Sequence, residues 1–188
     1  MNRTMLRSAV LILASSAVAA SAQMTVHAVT GSVKTVTPHN LSVMVDSSSG
    51  SASKFKIAPS AKLPSEFSHD LRADSTAPES FQKVGDFALV YYYGYGDSQT
   101  AVAVKDLGAG PFTKARGTVI AFDKHSRTLT LKDDTGKRVP MLLNDQVVVD
   151  TDTGVDSGRK FSPHKGDLVR VTYSAGAPAT VAFIGELK

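Results

Sequence analysis

A chain of 188 residues with 21 Lys and Arg against 17 Asp and Glu carries a formal charge of +4, with 42% hydrophobic residues and no cysteine. The missing cysteines exclude disulfides, thiolate metal sites, iron–sulfur clusters and thiol nucleophiles. Two of the positive charges, Arg3 and Arg7, stand in the first residues, so the remainder is near neutral and lacks the basic footprint of a nucleic-acid binder.

Arg3 and Arg7, the apolar stretch from Ser8 to Ala20 and the small-x-small triplet Ala20-Ser21-Ala22 follow the layout of a secretory signal peptide over residues 1–22. Cleavage is expected between Ala22 and Gln23. The apolar run is too short to anchor the chain comfortably in a bilayer, and no later stretch approaches the ~20 apolar residues of a transmembrane helix. The mature protein, about 166 of the 188 residues, is therefore expected to be periplasmic or secreted, with no membrane span. It must be stabilised by its own core.

The mature part reads as short strands punctuated by Gly, Asp, Ser and Asn. Strands are expected at Gly31–Val36, Leu41–Asp46, Lys54–Ile57, Phe87–Tyr93 and Ala101–Leu107, with Ser47–Ser53 a loop and Ser65–Leu71 a short helix after Pro64. A short linker, Gly108 to Phe112, leads to a second series: Gly117–Asp123, Thr128–Lys132, Arg138–Leu143, Leu168–Tyr173 and Thr180–Ile184. Asp133-Asp-Thr-Gly136 is a hairpin turn, and Val147–Val149 is a further short strand.

The two series are copies of one unit. The first opens Gly31-Ser-Val33 and later reads Gly85-Asp86-Phe-Ala-Leu-Val90; the second opens Gly117-Thr-Val119 and later reads Gly166-Asp167-Leu-Val-Arg-Val171. A unit recurring after about 80 residues predicts two small domains, residues 23–111 and 112–188. Five strands with a longer excursion between the third and fourth predict an all-β protein of two tandem, small, antiparallel five-stranded OB-like barrels. The short linker predicts that they touch. The pattern resembles a domain of unknown function found, often in tandem, in secreted bacterial proteins, through Gly117, Val119, Gly166, Asp167, Val169 and Val171. That resemblance implies a fold and no catalytic residues.

Among candidate sites, an aromatic strip stands out. By the register of Leu168–Ser174, Ala88, Val90 and Tyr92 face the first core, which leaves Phe87, Leu89, Tyr91 and Tyr93 outside, with Tyr95 following in a Gly-rich turn. Such a strip marks a contact: a seam against the second barrel, or a platform for an envelope glycan or a protein partner. The acidic stretch Asp150-Thr-Asp152-Thr-Gly154-Val-Asp156-Ser-Gly158 contains two triplets like those of aspartic proteases and alternating oxygen donors. Four residues cannot separate the two carboxylates of one such dyad, and Val155 and Phe161 break the EF-hand pattern. The five histidines, His27, His39, His69, His125 and His164, form no zinc motif. His39 and His125 occupy equivalent turns. No nucleophile elbow, phosphate loop or dinucleotide fingerprint occurs. The expected function is an exported, non-catalytic binding or scaffolding protein of the bacterial envelope, without cofactor or metal and not a nucleic-acid binder. The alternatives are an envelope hydrolase of aspartic-protease type using the Asp150–Asp156 loop, or a calcium-stabilised module.

Overall fold

The computed structural model describes residues 24–45, 52–57, 69–72 and 74–187. The signal peptide expected at residues 1–22, Asp46, the Ser-rich run through residue 51 and the first four residues of the helix expected at Ser65–Leu71 lie outside the described residues.

The chain is all-β, in two six-stranded sheets. The first contains β1 (His27–Val36), β2 (Asn40–Met44), β3 (Ala52–Ile57), β4 (Ser75–Thr76), β5 (Phe87–Tyr93) and β6 (Thr100–Gly108), with a four-residue helix α1 (His69–Arg72) before β4. The second contains β7 (Phe112–Asp123), β8 (Thr128–Asp133), β9 (Arg138–Thr151), β10 (Gly154–Ser157), β11 (Leu168–Ser174) and β12 (Ala179–Leu187).

Both sheets follow one wiring. In the second, the order β8-β7-β11-β12-β9 is closed by β8–β9 pairing into a five-strand barrel, with β10 appended to β9. In the first, β3-β2-β1-β5-β6 forms the same ring, closed by only two residue pairs, Lys56 with Thr100 and Ile57 with Ala101. One expectation is corrected here. The β3–β6 and β9–β12 pairings are parallel, so neither ring is purely antiparallel. The third and fifth strands run the same way because a long connection, not a hairpin, follows the third.

Alternation explains the cores. Leu41 and Val43 on β2, Phe55 and Ile57 on β3, Leu129 and Leu131 on β8, and Met141 and Leu143 on β9 all point inward and are buried. The Gly-Asp pairs have a shared backbone role. Val33 N–H donates to Asp86 O at 2.9 Å and Val119 N–H to Asp167 O at 2.8 Å; Gly85 and Gly166 N–H return bonds to Val33 and Val119 carbonyls, both at 2.9 Å. Gly31 and Gly117 sit where a Cβ would lie 2.4 Å from the Met44 carbonyl oxygen and 2.6 Å from that of Lys132. Only glycine lets the adjoining strand approach so closely.

Two boundaries differ from expectation. Val147–Val149 is not a separate strand: Arg138 through Thr151 is one long strand that serves β8 with its first half and β10 with its second. The helix is confined to His69–Arg72 among the described residues.

A third apolar cluster joins the sheets. Val26, Ala28, Leu71, Leu89, Tyr91, Val102 and Ala103 from the first chain half pack on Val148 and Phe183 from the second. Leu89 and Tyr91 are 0% exposed and Phe183 1%. Each such side chain contributes roughly 1.5–3 kcal/mol by burial. Polar contacts frame the seam: Thr30 and Thr172 hydroxyls meet at 2.6 Å, and Lys114 Nζ donates to the carbonyl oxygens of Thr30 and Val45.

Candidate functional site

The aromatic strip divides. Ala88 and Val90 lie in the first core with Tyr92 packed at its edge. Leu89 and Tyr91 lie in the seam, where Tyr93 packs against the same cluster. The Tyr91 hydroxyl donates to the Leu71 carbonyl at 3.4 Å. Burial, with a smaller contribution from the Asp74 carboxylate, pushes this phenol far above its ordinary range, so it stays protonated. Phe87 meets Phe112 at 5.3 Å between ring centroids, at the junction of the sheets. Tyr95 alone of the five is fully outside, at 81% exposure. A solvent-facing platform on this strip therefore begins at its far end.

A groove opens there. Asn40 on β2, Ala52, Ser53, Lys54 and Lys56 on β3, and Gly96, Asp97 and Gln99 in the β5–β6 turn surround about 400 Å³. The turn is a tight 3-10 segment, Gly96–Ser98, held by Ser98 Oγ donating to the Tyr95 carbonyl at 2.7 Å. It is tied to β3, since Lys56 N–H donates to the Gln99 carbonyl at 2.8 Å. Tyr95 immediately precedes the turn, so an exposed ring and a polar groove share one loop. Tyr95 belongs to the aromatic strip expected from the sequence, whereas Asn40, Lys54, Lys56, Asp97 and Gln99, which line the groove, were not singled out there. The signal for the lysines was present in the strict alternation Lys54-Phe55-Lys56-Ile57.

The acidic stretch is a hairpin. Asp150 and Thr151 end β9, Asp152 and Thr153 form the turn, and Asp156 lies in β10 opposite Val149. The first protease-like triplet thus lies in this hairpin, and the second runs from β10 into the 3-10 segment Gly158–Lys160. Asp150 is engaged with His27, whose Nδ1 lies 3.0 Å from Asp150 Oδ1. Burial raises the Asp150 carboxyl above its usual range, against the opposing pull of His27, the Ala28 N–H and Arg170. These two residues, with Asp152, His164, Asp167 and Glu186, line a second cleft of about 590 Å³. Among the described residues no group of three or more His, Asp or Glu has the geometry to hold a metal ion. His39 and His125 fall, as expected, in the turns that precede β2 and β8. Among the described residues no helix is long and apolar enough to cross a membrane.

No family model and no curated protein matches the chain. Among solved structures, the chain is distantly similar to CusF with Ag(I), at 15% identity over 41% of this chain and 99% of that one, with a TM-score of 0.32. A variant of CusF from Escherichia coli with Cu(II) is 14% identical over 41% of this chain and 92% of its own, also at a TM-score of 0.32.

Proposed function

We propose that this chain is an exported, non-catalytic binding protein of the bacterial envelope, built from two tandem OB-like units, and that it holds a saccharide chain on the first unit. The observation that carries the reading is the groove on β2, β3 and the β5–β6 turn with the exposed Tyr95 on the same turn. An exposed tyrosine offers a flat apolar face to a sugar ring, and Asn40, Ser53 and Gln99 offer the donors and acceptors that hydroxyls need. The second unit acts as a scaffold: the seam buries the middle of the aromatic strip and fixes the direction in which the groove faces. Export rests on the sequence of residues 1–22.

The test is binding of the mature protein to isolated envelope polysaccharide, followed by tyrosine fluorescence and calorimetry. Tyr95→Ala is expected to weaken binding at least tenfold with an unchanged melting temperature. Undiminished binding by that variant would remove the groove from the account. N-terminal sequencing of the native protein is expected to find Gln23 first, in a non-cytoplasmic fraction.

A further inference from the structure

Resting on the saccharide reading above, we propose that the groove is built for an acidic sugar chain, one that carries carboxylates. Strand β3 turns Phe55 and Ile57 into the core and Lys54 and Lys56 out of it, so both ammonium groups leave the same face of one strand. Two residues along a strand is roughly 7 Å. Neither lysine has a carboxylate partner among the described residues. Some lysines elsewhere are ion-paired, Lys83 with Asp106 at 2.5 Å, Lys105 with Asp74 at 3.4 Å and Lys160 with Asp156 at 3.7 Å, whereas Lys54 and Lys56 together face one groove. Across from the pair stand neutral groups, Asn40 opposite Lys56 and Ser42 opposite Lys54. Among the described residues Asp97 is the one acid lining the groove, which leaves an excess of one positive charge among them.

Two like charges on neighbouring outward positions repel, and an anion laid along β3 relieves that repulsion. The amides of Asn40 and Gln99 suit hydroxyls next to the charged group. A neutral sugar would leave both ammonium groups unused. A nucleic acid would call for a broader basic surface than two lysines beside an aspartate.

The experiment titrates the mature protein with polygalacturonate, with the same polymer after methyl esterification, and with a single-stranded oligonucleotide. Polygalacturonate is expected to bind, with affinity falling as salt rises, and the esterified polymer to bind at least tenfold more weakly. Lys54→Gln with Lys56→Gln is expected to remove that difference while leaving melting unchanged, since both side chains are exposed. If the esterified polymer binds equally well and the lysine variant changes nothing, the acidic inference falls and the saccharide reading stands. If neither polymer binds, both fall. Tighter binding of the oligonucleotide than of polygalacturonate overturns the inference in favour of a phosphate backbone.

Discussion

The hydroxyls of Thr30 and Thr172 meet at 2.6 Å across the seam, although 142 residues separate them in the chain. Both are buried, at 2% and 1% exposure. One hydroxyl donates to the other, so each finds its partner across the seam. Thr172→Val is expected to strand the Thr30 hydroxyl and cost about 1–3 kcal/mol. Replacing both by Val is expected to cost less than the single change, because no polar group is then left unpaired. Urea denaturation of the two single variants and the double variant measures the coupling. Additive costs would mean that the hydroxyls do not depend on each other.

Tyr91 tests the seam as a whole. Its ring is fully enclosed by residues from both chain halves. Tyr91→Ser leaves a cavity and is expected to destabilise the protein by roughly 3–5 kcal/mol. The parent should unfold in one transition by both tyrosine fluorescence and far-ultraviolet circular dichroism, because the sheets share this cluster. The variant should show the first sheet melting ahead of the second, whose barrel is closed by the longer pairing. A variant that melts like the parent would mean that the seam does not hold the sheets together.

The alternation from Ala88 to Tyr93 on β5 was legible in the sequence because β11 supplied a template: Val169 and Val171 fix the inward face, and Ala88 and Val90 inherit it. The seam partner was not legible. Alternation places Val181 and Phe183 on one face, yet a register shift between them turns Phe183 into the seam while Ile184 enters the core. A bulge of this kind leaves no local mark in composition. Likewise the strand expected to end at Leu143 continues to Thr151, and Asn144-Asp145-Gln146 forms a bulge within it, unpaired with β8, β10 or β12, where Gln146 N–H donates to Asn144 Oδ1 at 2.9 Å. The partnership of His27 and Asp150, 123 residues apart, exists only once β1 and the β9–β10 hairpin have been brought together.

That hairpin gives a glycine a structural duty inside what resembles a protease triplet. Gly154 has φ +111°, and a Cβ there would lie 2.9 Å from the Val26 carbonyl oxygen. The same carbonyl accepts from Val155 N–H at 3.0 Å, so the chain before β1 is laid directly on β10. Gly154→Ala is expected to cost about 1–3 kcal/mol through backbone strain, and more if Val26 is displaced. Hydrogen exchange should then rise at the Val155 amide ahead of the barrel core. Unchanged protection at Val155 would show that the contact with Val26 survives the added methyl.

The last prediction concerns acid. Partial desolvation, although the residue is exposed, and then the like charges of Asp167 and Asp152 hold the Glu186 carboxyl above its ordinary range. The folded protein therefore binds this proton more tightly than the unfolded chain does. The sign follows: there is no penalty below the unfolded value near ~4.3, a loss of stability as pH rises through the raised folded value, and the full loss above it. Glu186→Gln removes a charge that the fold opposes. Its melting temperature should match that of the parent at strongly acid pH and exceed it at neutral pH, and the gap should open just above the ordinary carboxylate range. Asp106, Asp123 and Asp133, all held low, have the opposite dependence, but they are common to both proteins and cancel in the difference. A variant less stable than the parent at neutral pH would mean that the ionised Glu186 is stabilised rather than opposed by its surroundings.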